Sequence, residues 1–334
     1  MKIADVEMKT HQLRKPGALI HRMGISLVVL TAVSMLFACS GKGGEKVSAS
    51  TWKTYQLPFN HVVFDLKQTG EKDGWAVGER GLILRFDGTK WEQVESPVAV
   101  PLFALAFPES DRRWAVGADG TILEGNRDGW KEVQKPDKWH LMSVAFPSPA
   151  DGWAVGERGS IVHYDGKEWK KVESPKKVAL NRVVFNTPND GWAVGNQGVI
   201  LHYDGKGWKE ISSSTDRTLY GIAFRNPDDA WAVGEKGTIL HYDGKSWSKA
   251  ESPVERTFLN VAVSNVKEGY IVGRGGELLS LHEGKWTQGT DSLTRKTLYA
   301  IDVPPDGKPW LVQPPAISSR NNFKLYLLQS CGNS

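Results

Sequence analysis

His163, His202 and His241 stand 39 residues apart, each followed by Tyr-Asp-Gly-Lys. Three histidines are a familiar zinc set, but ligands must converge on one ion within a few ångströms. Equivalent positions of successive repeats are held apart, so these three do not form a metal site. The Asp-Gly pairs, such as Asp165-Gly166 and Asp243-Gly244, lack the acid spacing of a calcium cage. They read as hairpin turns. Glycoside hydrolysis would need two converging carboxylates, and in the strand-forming segments only His61 and Asp302 stand out. No catalytic, metal or cofactor set follows. The remaining candidates are cations, whose chemistry would be attraction of an acidic partner.

The elements that carry these residues are set by Trp. One series is Trp52, Trp91, Trp130, Trp169, Trp208, Trp247 and Trp286, every step 39. The other is Trp75, Trp114, Trp153, Trp192, Trp231, Tyr270 and Trp310, with a last step of 40. Only Trp139 of the 14 Trp stands outside them. A period of about 40 with one aromatic signature per unit indicates a β-propeller. Seven members per series predict an all-β, seven-bladed propeller with four antiparallel strands per blade, over 52–334. Each repeat reads as strands A to D: Leu219 to Phe224, Ala230 to Val233, Thr238 to Tyr242, and a fourth opening at Trp247. On strand A large residues (Val183, Phe185, Ile222, Phe224) alternate with small ones (Ala104, Ala106, Gly221, Ala223). That alternation suits interlocking blades. The last repeat lacks a fourth-strand Trp, so Trp52 to Gln56 is expected to complete the seventh blade and close the ring.

Because strands alternate in direction, the B–C turns and the D–A connections share one face. The turns carry Arg80, Arg158, Lys236 and Arg274. The connections carry Arg217, Arg256, Arg295 and Lys296, with Arg217, Arg256 and Lys296 at one repeat position in blades five, six and seven. The expanded seventh turn, 313–322, adds Arg320. A basic sector over these blades is the expected partner site. Trp139, out of register in a connection on the same face, is a candidate anchor.

The formal charge is +4, but residues 1–39 hold five Lys/Arg and two acids. The rest carries 42 − 5 = 37 basic and 38 − 2 = 36 acidic residues, or +1. That balance offers no nucleic-acid footprint. Residues 1–38 read as a signal peptide, with a basic start and an apolar stretch at 24–38 that is short for a membrane span. It ends Leu36-Phe37-Ala38-Cys39, like a bacterial lipobox, so Cys39 is the expected lipidation site. Residues 39–51 are the expected flexible tether. Ser40 after the Cys resembles the outer-membrane class. The expected protein is a monomeric, membrane-anchored propeller in the cell envelope.

The pattern Gly-Trp-Ala-Val-Gly-x-x-Gly-x-Ile followed by Tyr-Asp-Gly-Lys-x-Trp, as at 152–169, resembles the photosystem II stability/assembly factor family. It is more distantly similar to Asp-box propellers, including sialidases. The resemblance covers about 52–330. It implies a non-enzymatic, seven-bladed scaffold that binds an envelope or membrane protein, without implying a photosystem. The alternatives are a glycan- or small-ligand-binding module with a pocket beside Trp139, or an Asp-box glycoside hydrolase. The sialidase set of an Arg triad, a Tyr–Glu pair and an Asp is not assembled here. Cys39→Ala is expected to release the protein from membranes on fractionation; continued membrane association would refute anchoring at that residue.

Overall fold

A computed structural model describes residues 61–70, 72–264, 269–289, 294–303 and 309–312. Strands form where β-branched and aromatic runs lie between Gly-rich turns. In the first blade strand A is Val63–Gly70, B is Asp73–Gly78, C is Ile83–Phe86 and D is Trp91–Val94. They pair in sequence order as an antiparallel sheet. The same meander recurs over 102–132, 141–172, 180–211, 219–249 and 258–288.

The expectation of seven four-stranded blades is therefore corrected. The described residues form six such blades and one two-stranded sheet, with no closed seventh blade. That sheet pairs Ala300–Asp302 with Trp310–Val312. Prolines confine its two strands to three residues each: Pro304 and Pro305 follow the first, and Pro309, Pro314 and Pro315 flank the second. Proline cannot donate to a ladder. The segments expected to supply the missing strands, Trp52 to Gln56 and Phe323 to Leu328, lie outside the described residues, as do Cys39, Arg320 and Cys331.

The short sheet still packs into the ring. Ala300 and Trp310 join Val63, Leu66, Phe86 and Trp91 of the first blade in one apolar cluster. Leu298, Ile301 and Leu311 join Val272 of the sixth blade in another. Elsewhere each core also lies between neighbouring blades. Trp153, Val155 and Ile161 meet Leu180, Val183, Leu201 and Trp208, for example. The large-against-small logic of strand A holds at Gly221, where a Cβ would lie 3.0 Å from Asn260 Cα of the next blade.

The Trp series meet at these joints. The strand B Trp of one blade packs against the strand D Trp of the next: Trp75 on Trp130, Trp114 on Trp169, Trp153 on Trp208, Trp192 on Trp247 and Trp231 on Trp286. Their centroids are 5.3–5.9 Å apart, and the rings stand nearly edge to face. Trp310 of the short sheet repeats the contact with Trp91 at 6.0 Å.

Each B–C connection is a three-residue turn, such as Glu79–Gly81 or Glu235–Gly237. Its middle residue is left-handed: φ is 56° at Arg80, 54° at Arg158 and 51° at Lys236. The Gly that follows is required by space as well as by φ. A Cβ on Gly159 would lie 1.9 Å from Lys176 O in the next D–A connection. The turns also bond backward, Glu79 N donating to Val62 O at 2.9 Å and Glu235 N to Thr218 O at 3.0 Å.

Two outcomes follow. Trp310→Ala should cost about 3–5 kcal/mol in denaturant unfolding; an unchanged midpoint would show that the two-stranded sheet is not integral to the ring. Lys236→Gly should raise stability by up to about 1 kcal/mol by relieving the left-handed backbone, and a loss would refute strain at that turn.

Candidate functional site

The B–C turns and D–A connections do share one face, as their hydrogen bonds require. On it the Glu that opens a turn faces inward and the residue after it outward. Glu79 accepts from Val62 N at 3.1 Å. Glu235 accepts from Thr218 N at 3.3 Å and from the Tyr220 hydroxyl at 3.2 Å. Burial and then the Glu235 charge push the Tyr220 phenol up. The neighbouring Arg80 and Lys236 are exposed. Thus these turn acids are engaged at the backbone while the turn cations stay in solvent.

The sixth turn breaks this order. Arg274 opens the turn Arg274–Gly276, in the repeat position held by Glu79, Glu157 and Glu235. It stands on a B–C turn, as expected from the sequence, but at the first rather than the second position of the turn, and it is exposed. Arg274 lines a cavity at the mouth of the central channel.

That mouth is built by strand A. In all six blades the register slips between the first and third residues of the strand, as at Val63/Asp65, leaving a bulge. A bulge re-aims the side chain beside it. The bulged residues Phe64, Phe103, Met142, Asn181, Tyr220 and Leu259, together with Tyr299, line a cavity of about 280 Å³. Phe64 touches Phe103 and Tyr299, with centroids at 5.5 and 6.0 Å. Sequence reasoning missed this ring. Its signal was a third 39-residue series, 64 to 259, of mixed rather than uniform composition.

Arg182 lies at the channel waist and lines both this cavity and a larger one, of about 730 Å³, along the rest of strand A. Its Nη1 is 3.9 Å from Asp65 Oδ1. The other Asp65 oxygen accepts from Leu105 N at 2.9 Å. In the larger cavity Asp302 accepts from Lys67 Nζ and from Gln68 N, both at 2.9 Å. The carboxylate singled out for hydrolysis is thus engaged in joining the short sheet to the first blade.

The other predicted residues separate into free and engaged. Arg217 is exposed, with Asp216 the nearest acid at 3.8 Å. Arg295 is also exposed. Arg256 is held by Glu277 at 2.8 Å, and the buried Glu277 also accepts from Gln288. The Lys296 amine has no hydrogen-bond partner among the described residues, and burial pushes its pKa down. The three cations sharing a repeat position therefore do not act alike. Trp139 is half-buried under the Arg158 guanidinium, 4.1 Å from the ring centroid, with Lys138 at 5.2 Å. These two candidates satisfy each other.

The repeated histidines have structural partners. His163, His202 and His241 bond Asp151, Asp190 and Asp229 at 2.8–3.0 Å and lie on Trp153, Trp192 and Trp231. Among the described residues no three His, Cys, Asp or Glu side chains group as a metal site.

The family described as photosynthesis system II assembly factor YCF48 matches residues 125–204 and 204–290. No curated protein matches the sequence. A structure of YCF48 bound to a D1 peptide is 18% identical, with a TM-score of 0.69, covering 86% of this chain and 97% of that one. YCF48 from Cyanidioschyzon merolae is 19% identical, with a TM-score of 0.65, covering 84% and 99%. The WD40 propeller domain of Doa1 is only 10% identical, yet has a TM-score of 0.71 over 85% and 98%. Identities this low establish the fold alone. Residues 125–290 are thus similar to the photosystem II assembly factor family, and the two YCF48 structures share the propeller fold.

Proposed function

We propose that this protein is a non-catalytic scaffold or assembly factor that holds a segment of a protein partner on the face of its B–C turns and D–A connections. The observation that carries the reading is the division of charge on that face. Glu235 and Glu277 are drawn into bonds, while Arg217, Lys236 and Arg295 stay exposed, with Asp216 and Glu255 the exposed acids of the neighbouring connections. Such a sector attracts and orients an acidic surface. A propeller of the same fold, YCF48, has been captured with a peptide, which supports a peptide or protein as the class of partner. The rigid ring leaves its turns free to specialise for recognition. The reading extends to a lipid anchor on Cys39 that would hold the disc at an envelope membrane.

The test is chemical cross-linking in native envelopes, comparing the wild-type chain with the triple variant Arg217→Glu, Lys236→Glu and Arg295→Glu. A dominant protein captured by the wild type should fall about tenfold or more in the variant, because each reversal puts like charges together. It should also weaken as salt is raised. Equal capture by both would refute the basic sector as the partner site.

A further inference from the structure

The channel mouth is distinct from the exposed sector around it. Arg182 and Arg274 line it, and among the described residues no carboxylate does. The larger cavity differs, since Asp65, Glu109 and Asp302 there face Lys67 and Arg182.

Arg182 occupies the third position of strand A. The same position holds Ala104, Ser143, Gly221 and Ala300 in other repeats. The first and sixth blades put Asp65 and Asn260 there, so Arg182 is the one cation at this position among the described residues. Its side chain is only 20% exposed, and among the described residues its one ion-pair partner, Asp65, is 3.9 Å away. That is beyond hydrogen-bonding distance. Its N–H groups make no hydrogen bond to the described residues. A largely desolvated guanidinium that meets its one carboxylate only at ion-pair distance keeps N–H donors for an arriving carboxylate.

Asn260 adds a second donor. It is 4% exposed and lines the mouth. Its Oδ1 accepts from Val261 N at 2.9 Å, which leaves its NH2 as a donor with no acceptor among the described residues. Arg274 supplies a third, in the place where other turns put an inward acid. Against these donors stand Phe64, Phe103, Met142, Leu259 and Tyr299, an apolar wall rich in ring faces and edges. A small cavity with an apolar wall and a few convergent polar groups is the usual form of a ligand site.

We propose that the channel mouth binds a small carboxylate carried on a flat apolar body. The carboxylate lies between Arg182 and Asn260, with Arg274 at the rim, and the apolar body packs against Phe64, Phe103 and Tyr299. A volume of about 280 Å³ holds a ligand of single-ring size. This site is independent of the protein-partner reading, since no partner takes part in it.

The probe is 3-phenylpropionate, titrated calorimetrically into the full chain beside 3-phenylpropionamide and 3-phenylpropylamine. The acid should bind at least about tenfold more tightly than its amide, because charge-assisted hydrogen bonds are lost in the neutral analogue. The amine should not bind. Arg274→Gln, a change at an exposed turn, should weaken the acid about tenfold and leave the amide unchanged. Arg182→Met should abolish the preference for the acid. Should Arg182→Met fail to fold, the three probes and Arg274→Gln still decide. Equal affinity for acid and amide, absence of binding at millimolar acid, or an unchanged Arg274→Gln would each overturn the proposal. Success or failure here leaves the cross-linking result intact, because that experiment reads Arg217, Lys236 and Arg295.

Discussion

The contact on which the structure depends is the meeting of two indoles at the joint between neighbouring blades. Sheets arranged around an axis diverge outward, and the widening gap must be filled by apolar volume. A strand B Trp from one blade and a strand D Trp from the next fill it, edge to face. Aromatic pairs of this kind contribute about 0.5–1.5 kcal/mol beyond the burial of their area. The contact is also directional, so it sets the angle between sheets as well as holding them. Trp310 on Trp91 shows that the two-stranded sheet uses the same joint, although it lacks a four-stranded ladder.

A ring built this way spends its repeated polar residues on itself. The His–Asp pairs tie strand C to strand B behind the Trp. The Asp of each Asp-Gly hairpin accepts from the backbone within the turn, as Asp165 does from Lys167 N and Glu168 N. Bonds from Lys170, then from that backbone, hold Asp165 well below the usual carboxylate range. The turn acids Glu79 and Glu235 are similarly engaged at the connections. What remains for recognition is what departs from the repeat. Arg182 is the one cation at its waist position among the described residues, and Arg274 replaces an inward acid at the mouth. Both departures add positive charge to the axis of the disc.

Much of the fold was legible in the chain. The periodic Trp residues, the Gly-x-x-Gly turns and the Asp-Gly hairpins are local signals with one structural reading each. They located the strands, the face shared by turns and connections, and Trp as core. Less of the site was legible. Arg256 and Lys296 occupy the same repeat position as Arg217, yet one is held by Glu277 from a different turn and the other has a buried amine. Trp139, the one Trp without a periodic partner, lies under Arg158 because the connection before the third blade folds against the B–C turn of that blade. No spacing along the chain encodes those encounters.

The sequence by itself determined the repeat, the strand order within a blade and the packing role of its aromatics, because each arises from neighbours within about 40 residues. Only the tertiary structure decided three things. The ring has six four-stranded blades and a two-stranded sheet among its described residues, since a blade requires a complete ladder and a Trp alone does not supply one. The bulge in strand A turns a series of mixed residues into the wall of a channel mouth, because a register slip changes where a side chain points without changing its spacing. Which cations are free was settled by acids arriving from other strands, since charge in a folded protein is decided by what lies across a gap of a few ångströms.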